Sequence, residues 1–279
     1  MKTDKKKIVV LSACIALIAI LLVAIFLVPP AQKDESINDA MRDEVLHEND
    51  KINLFGLQVN PGLISAFTVT GAIFVFCVVV RIVVIPRFTY VPGKFQLVLE
   101  TAVGMFDDMA TNSSPSRNKF LGAYIFTAAA YIFVGTLFEL LGLQVVTAKG
   151  MSVSLPAPLS DINGAIMLGC TSYLVILGGG IVSNGIKGVG KTLKDFSLPI
   201  SMSFRLFGAL LSGALVTELV YYYSAMSFVL PVLVGVLFTI LHALIQSYVL
   251  TMLTSLFYGE VSEKKIKKQK FEREVTKNV

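Results

Sequence analysis

A single arginine, Arg205, lies inside an apolar run that extends from Leu198 to Val216. Its guanidinium stays protonated in proteins, so loss of a proton cannot relieve the cost of burying the charge. Near the centre of a membrane helix that cost is about 2.5–3.5 kcal/mol on insertion scales. Ion pairing, ion transport and voltage sensing are the usual roles of such a residue. A short amphipathic surface helix is the alternative, but the long apolar runs on both sides favour a membrane span.

Six more polar residues lie within or at the ends of apolar runs: Glu139, Asp161, Asn163, Glu218, His242 and Gln246. His242 and Gln246 are four positions apart and therefore share one face of a helix. Glu218 follows Arg205 by 13 positions, which is roughly 20 Å along a helix and too far for a direct ion pair. Arg205 thus lacks a carboxylate partner in its own helical hairpin, and we expect its counter-charge to arrive on another protein.

The composition is that of an integral membrane protein built from α-helices. Hydrophobic residues make up 54% of the 279 positions and charged residues only 15%, against about 25% charged in a soluble domain. Several runs reach the roughly 20 apolar residues that cross a bilayer. The net charge of +5 does not indicate nucleic-acid binding, because the basic residues cluster beside the apolar runs. We expect no cofactor or metal, since only two histidines are present and the three cysteines lie in apolar runs as packing residues.

The hydropathy pattern predicts about six membrane spans, and the last two form a long antiparallel hairpin because only residues 224–227 separate them. The predicted spans are 8–28, 63–85, 119–143, 162–183, 197–223 and 228–258. The first could instead be a signal segment, within a unit of residues 1–30. Its 21 apolar residues exceed the usual signal core of about 7–15 residues, which favours a retained helix.

The loop charges predict the orientation. Residues 31–61 carry three basic against seven acidic side chains, whereas residues 259–279 carry seven basic against four acidic ones. Lys and Arg enrich every second connection, which places both termini in the cytoplasm. We therefore expect an extracytoplasmic acidic loop at 31–61, a membrane domain at 62–262 and a basic cytoplasmic tail at 263–279.

Two of the predicted cytoplasmic connections carry a recognisable sequence pattern. Apolar and charged residues alternate between Val91 and Asp108, which predicts a short helix on the membrane surface, although an ordinary solvated loop remains possible. Gly185–Thr192 fits the phosphate-loop pattern G-x-x-x-x-G-K-T. That pattern binds phosphates at a strand-to-helix turn of an α/β domain, and here membrane spans flank it. We expect no direct ATP binding.

The predicted topology gathers five of the polar residues in the outer half or near the middle of the membrane: Glu139, Asp161, Asn163, Glu218 and His242. Polar groups at that depth are unfavourable unless they face water or one another. A shared hydrated path for ions is the simplest interpretation. The alternative is that neighbouring backbone groups satisfy each side chain separately.

Several of these segments resemble subunit a of rotary F-type ATP synthases, of the bacterial type. Ser203–Gly208 is similar to the arginine motif of the family's penultimate helix, and Leu244–Leu256 is similar to the final-helix motif around its glutamine, here Gln246. The ending Tyr258–Glu260 and weaker matches at Pro92–Gln96 and Pro158–Asn163 extend the resemblance over roughly residues 88–262. Ala209 stands where the family usually has Asn, and Ala214 and Thr239 occupy two further family positions for polar residues. The connection before the arginine helix is also shorter than usual.

The resemblance implies a function without covalent chemistry. Two offset half-channels would lead H⁺ or Na⁺ to either side of Arg205, which faces the carboxylates of a ring of c subunits. The final hairpin would pack against that c-ring, with Gln246 beside the arginine and with Glu218 and His242 relaying ions from outside in place of Ala214 and Thr239. The implied partners are the c-ring, subunit b of the stator stalk and the rest of the ATP synthase, in a bacterial plasma (inner) membrane.

Two other classes remain open. A secondary transporter would also hold charges at mid-membrane, but it normally shows duplicated halves, and the chain has no evident internal repeat. A membrane scaffold without transport would leave Arg205 unexplained.

Overall fold

The computed structural model describes residues 52–54, 57–115, 118–146, 152–222 and 230–263, together with positions 12, 16, 20 and 23. The predicted span 8–28 lies outside the described residues except for those four positions, which are helical. The hairpin connection 224–227, most of the acidic loop 31–61 and the tail beyond residue 263 also lie outside them.

Seven helices form the bulk of the described chain. They are α1 (Pro61–Val79), α2 (Lys94–Ser113), α3 (Asn118–Phe138), α4 (Ile162–Asn184), α5 (Ile186–Lys194), α6 (Ser197–Tyr222) and α7 (Leu230–Ser262). Two short antiparallel hairpins lie in the connections. One pairs β1 (Ile52–Leu54) with β2 (Leu57–Val59), and the other pairs β3 (Gln144–Val146) with β4 (Ser152–Ser154). The chain is thus an α-helical membrane protein, as predicted, with two small hairpins that its hydropathy pattern does not reveal.

Five described helices are long and apolar enough to cross a membrane. They span Pro61–Arg87, Lys119–Leu141, Ile162–Asn184, Ser197–Val220 and Val232–Ser262. These ranges match the last five predicted spans to within a few residues at most ends. Each helix satisfies its own backbone polar groups, which is the condition for crossing hydrocarbon.

Local sequence signals set where two of the spans begin and where one of them ends. Asn60 caps α1 by accepting a hydrogen bond from the Gly62 N–H at 3.1 Å, and Pro61 occupies the first turn, where its missing N–H is harmless. Asp161 caps α4 in the same way from the Asn163 N–H at 2.9 Å. At its C-terminal end α4 stops at Gly185, whose φ of 56° suits glycine best.

The two connections that the sequence places in the cytoplasm, near residues 91–108 and 185–192, are both helical. The amphipathic segment predicted near residues 91–108 forms the 20-residue α2, which packs against α3 and α7. The stretch that matches the phosphate-loop pattern forms the short helix α5 directly after helix α4. A helix therefore stands where a phosphate loop requires a strand, and the pattern has the wrong structural context.

The core lies where α3, α4, α6 and α7 meet. Its fully buried members include Ile125, Ile132, Ile176, Leu206 and Leu250. The close approach of α4 to α6 depends on a glycine. A Cβ at Gly169 on α4 would lie 3.0 Å from the carbonyl oxygen of Pro199 on α6, so a larger residue would push these helices apart.

Candidate functional site

Arg205 lies on an exposed face of α6. Ser201, Gly208 and Ser212 share that face and are also exposed, whereas Met202 and Leu206 turn into the core. The 3.6-residue period of the helix produces this division, because positions 201, 205, 208 and 212 recur on one side. The charged side chain therefore points away from the bundle, along a strip of small residues.

Among the described residues, no carboxylate forms an ion pair with Arg205. Glu218, on the same helix, is half-buried and lies 13 positions further along, a rise of roughly 20 Å.

His242 fixes the register between α6 and α7. A Cβ at Gly213 would lie 3.3 Å from His242 Nδ1, so the imidazole rests directly against the backbone of α6. The ring centroid of Phe238 is 5.8 Å from that of His242. Because the two helices run antiparallel, Gln246 on α7 lies near the level of Ala209 on α6. Arg205 then lies about one turn closer to the start of α6, about 6 Å along the helix axis.

Gln246 is buried, with 8% of its surface exposed, and its Oε1 atom has no hydrogen-bond partner among the described residues. Buried polar atoms in native proteins nearly always have a partner, which is often a water molecule or a bound group. The side-chain oxygen is thus available to a water or ion at a depth close to that of Arg205.

Asp161 and Asn163 lie at the start of α4 and line a cavity of about 340 Å³. Asp161 Oδ1 accepts hydrogen bonds from both the backbone N–H and the side-chain amide of Asn163, at 2.9 and 3.1 Å. The start of α1 and the middle of α3 form the other walls of the cavity. Since α1 and α4 both begin on the same side of the bundle, the cavity opens at the predicted outer side.

Glu139 occupies a 3-10 turn at the end of α3, and this turn packs against α7. Glu139, Glu218 and His242 do not line the cavity at Asp161. The described structure therefore brings only Asp161 and Asn163 of the five predicted outer residues together at this cavity. Glu139 lies on the turn after α3, Glu218 on α6 and His242 on α7.

Two residues of the Asp161 cavity were not predicted from the sequence. Tyr131 on α3 and Thr171 on α4 contribute to its wall. Thr171 lies about two turns beyond Asn163 on the same helix face, so its spacing from Asn163 could have identified it as a cavity residue. Single threonines are common in membrane helices, however, and the position alone does not distinguish a cavity residue from a packing residue.

Neither a metal centre nor a disulfide is evident in the described part of the chain. No group of three or more His, Cys, Asp or Glu side chains is placed to hold a metal ion there. Cys77 and Cys170 are free thiols and are exposed on their helices. Both lie on outward helix faces, so neither packs inside the described bundle. Cys14 is outside the described residues.

Comparison with known proteins gives one consistent result. The family model described as ATP synthase A chain matches residues 63–259. A protein of Cereibacter sphaeroides named ATP synthase subunit a is 25% identical over 183 residues, which cover 61% of this chain and 70% of the relative. A protein of Vibrio campbellii named ATP synthase subunit a 2 is 24% identical over 200 residues, which cover 62% of this chain and 77% of the relative. All seven predicted site residues fall within the range that the family model matches.

Proposed function

The chain belongs to the ATP synthase A chain family, and on this premise we propose that it is the ion-translocating stator subunit of a rotary ATP synthase. It is a multi-pass membrane protein with five described spans. In the proposed role it performs no covalent chemistry. It conducts H⁺ or Na⁺ between two half-channels, and the ion flow drives rotation of a c-ring while the soluble head makes or hydrolyses ATP.

The exposure of Arg205 carries this proposal. Its face of α6 offers a permanent positive charge between Ser201, Gly208 and Ser212, all exposed. Small residues allow a neighbouring membrane helix to approach closely. A carboxylate on such a helix would supply the counter-charge that the described part of this chain does not provide.

Electrostatics explain what Arg205 does when a ring carboxylate arrives. Two unit charges 4 Å apart interact by about 4 kcal/mol at an effective dielectric constant of 20. The guanidinium therefore favours the ionised carboxylate and promotes release of its bound ion. After the ring site has moved on, the fixed charge repels cations and prevents direct leakage between the half-channels.

The outer half-channel is proposed to run along the outer ends of α6 and α7. Glu218 and His242 relay ions from outside towards the ring, and they take over from the family positions that Ala214 and Thr239 occupy here. Glu139 lies on the turn that packs against α7, and Asp161 and Asn163 line the neighbouring cavity. Gln246 lies close to the level of Arg205 and assists where the path meets the ring.

The assembly follows from the same premise. The c-ring packs on the exposed face of the α6–α7 hairpin, and subunit b of the stator stalk and the soluble head complete the complex. We propose that the chain lies in the plasma (inner) membrane of a bacterial cell, and the basic loops and tail support a cytoplasmic position for both termini.

Cysteine cross-linking tests the proposed ring face. Cysteines at Ser201, Gly208 and Ser212 are expected to form disulfides with a cysteine in the membrane helix of the small ring subunit. A cysteine at Leu206, which is 1% exposed, is the matched control and is expected not to react. Equal cross-linking at Leu206 and Ser212, or none at any position in the assembled complex, would overturn this placement of the ring. Co-purification of a ring of small subunits also separates this function from that of a secondary transporter or a scaffold.

A further inference from the structure

A second cavity of about 340 Å³ lies between α2 and α7, apart from the one at Asp161. Asp108 and Asn112 on α2 and Tyr248 on α7 contribute polar side chains to its wall. The Asp108 carboxylate, the Asn112 amide and the Tyr248 hydroxyl form no hydrogen bond or ion pair with any group that the structure describes. Polar side chains in a membrane protein are unfavourable unless they face water or one another. Three such groups around one cavity therefore indicate that water fills it.

Serine contacts fix α2 against the C-terminal part of α7. Ser255 on α7 donates a hydrogen bond to the Ser113 hydroxyl at 2.8 Å, and the hydroxyls of Ser114 and Ser262 are 3.0 Å apart. A Cβ at Gly259 would collide with the Ser113 carbonyl, so the two helices meet where α7 has no side chain. These contacts hold the walls of the cavity without using its three unpartnered polar groups.

The cavity begins near the depth of Arg205. Gly213 on α6 meets His242 on α7, and the two helices run antiparallel. Arg205 is eight positions before Gly213, so it lies opposite the residue eight positions after His242. That residue is within one helical turn of Tyr248. The wall that α7 contributes runs from Tyr248 to Leu256, so the cavity extends from the depth of Arg205 towards the C-terminal end of α7.

Contacts made by α4 give the same depth independently. α4 and α7 run in the same direction, and Gly179 on α4 meets Tyr258 on α7. Gly169 is ten positions earlier on α4 and meets Ser203 on α6. Ten positions before Tyr258 is Tyr248. The arginine two positions after Ser203 thus lies within about one helical turn, about 5 Å, of the depth of Tyr248.

The cavity also lies on the same side of the α6–α7 pair as Arg205. On α6, Ser203 meets α4, whereas Arg205 is exposed and points roughly the opposite way. On α7, Tyr258 meets α4, whereas the cavity residue Met252 is exposed and points roughly the opposite way. Since α4 packs against both helices, Arg205 and the cavity share the side away from α4. This is the side on which the ring is proposed to pack, and α2 forms its flank.

We propose that this cavity is the mouth of the inner half-channel, where Asp108 attracts the transported cation. A ring carboxylate that has passed Arg205 releases its H⁺ or Na⁺ to the water of the cavity, through which the ion reaches the cytoplasm. The negative end of the α2 dipole, at Ser113, lies at the same mouth and adds to the attraction. This inference rests on the proposed function, because it assigns residues to one of the two half-channels. Asp108 is a positioning residue, since it concentrates cations beside the ring site and does not touch the ring carboxylate.

Substitutions of Asp108 test the charge directly. At low ionic strength, Asp108→Asn is expected to lower passive ion conduction about fivefold in vesicles stripped of the soluble head, because fewer cations gather at the mouth. A salt whose cation is not transported is expected to shrink this defect, since it screens the charge; a purely structural role would not depend on salt. Asp108→Glu is expected to retain conduction within about twofold. Asp107→Asn is the matched control, because that neighbouring carboxylate lines the groove between α1, α2 and α3, and it is expected to change neither conduction nor its salt dependence.

Accessibility provides a second readout. In the assembled complex, with no other cysteine in this subunit, Asp108→Cys and Asn112→Cys are expected to lose conduction when an impermeant thiol reagent is added at the cytoplasmic surface, whereas Asp107→Cys is expected to keep it. Protection of positions 108 and 112 from that reagent, or parental conduction in Asp108→Asn at low ionic strength, would overturn the inference. The loss of pumping in Arg205→Ala and the ring cross-link at Ser212 do not depend on Asp108, so failure of this inference remains distinguishable from failure of the proposed function.

Discussion

Two adjacent glycines on α4 test how tightly that helix packs against α7. A Cβ at Gly179 would lie 2.7 Å from ring atoms of Tyr258, which is 6% exposed, whereas a Cβ at Gly178 meets nothing within 4 Å. Contacts under 3.0 Å force something to move, and the aromatic ring is enclosed by the core.

The magnitude follows from the difference between the two alanine variants. Replacing glycine by alanine in a helix favours the helix by roughly 0.5–1 kcal/mol, and this gain is common to both positions. Overpacking a core costs about 1–3 kcal/mol, and only Gly179→Ala has that cost. We therefore expect Gly179→Ala to be less stable than Gly178→Ala by about 1–3 kcal/mol.

The assay is the fraction of the subunit that stays in the detergent-solubilised complex as temperature rises. Gly178→Ala is expected to match or slightly exceed the parent chain, and Gly179→Ala is expected to dissociate at a lower temperature. Because Tyr258 and Gln246 lie on the same helix, Gly179→Ala is also expected to reduce ion pumping at temperatures where the complex remains assembled. Equal stability of the two variants would refute the close packing of α4 on Tyr258.

Three further predictions concern topology, the outer path and the helix contact at His242. In a cysteine-free background, an impermeant thiol reagent should label Ala40→Cys from outside and Lys270→Cys only after lysis; external labelling of position 270 would contradict the orientation. Glu218→Gln combined with His242→Ala should slow transport strongly without a passive leak. Cysteines at 218 and 242 should react with Ag⁺ more readily than a cysteine at the lipid-facing Phe74, which is 67% exposed. Protection of both sites from Ag⁺ would exclude them from a channel. Gly213→Leu should displace the imidazole of His242, since even a Cβ lies 3.3 Å from Nδ1, and should lower the temperature at which the solubilised complex dissociates. Gly71→Leu on α1 is the control and should have little effect, because a Cβ at Gly71 meets nothing within 4 Å; equal stability of the two variants would contradict the contact at His242.

The sequence predicts the helices well because hydropathy is a local property. Residues 119–143 were expected to form a span, and the structure has Lys119–Leu141. The amphipathic helix near residues 91–108 was also recognised from its own pattern and is confirmed as α2. The short helix α5 was predicted only as a connection, and the two β-hairpins were not predicted, since each depends on pairing that a run of three residues does not reveal.

The arrangement of the site was less accessible from the sequence. The exposure of Arg205 depends on which face of α6 packs against α4 and α7, and that choice is made by contacts such as Gly169 with Pro199 and Gly213 with His242. These partners are about 30 positions apart in the chain, so their register is a property of the packed bundle.

The most direct test of the proposed function is ATP-driven ion pumping by vesicles that contain Arg205→Ala in a fully assembled complex. The substitution removes the fixed charge that separates the half-channels, so coupled pumping is expected to fall to background while the subunit remains in the complex. Arg205→Lys retains a charge but not the planar guanidinium, and it is expected to recover only part of the activity. Pumping by Arg205→Ala at a near-normal rate would contradict the central role of this residue.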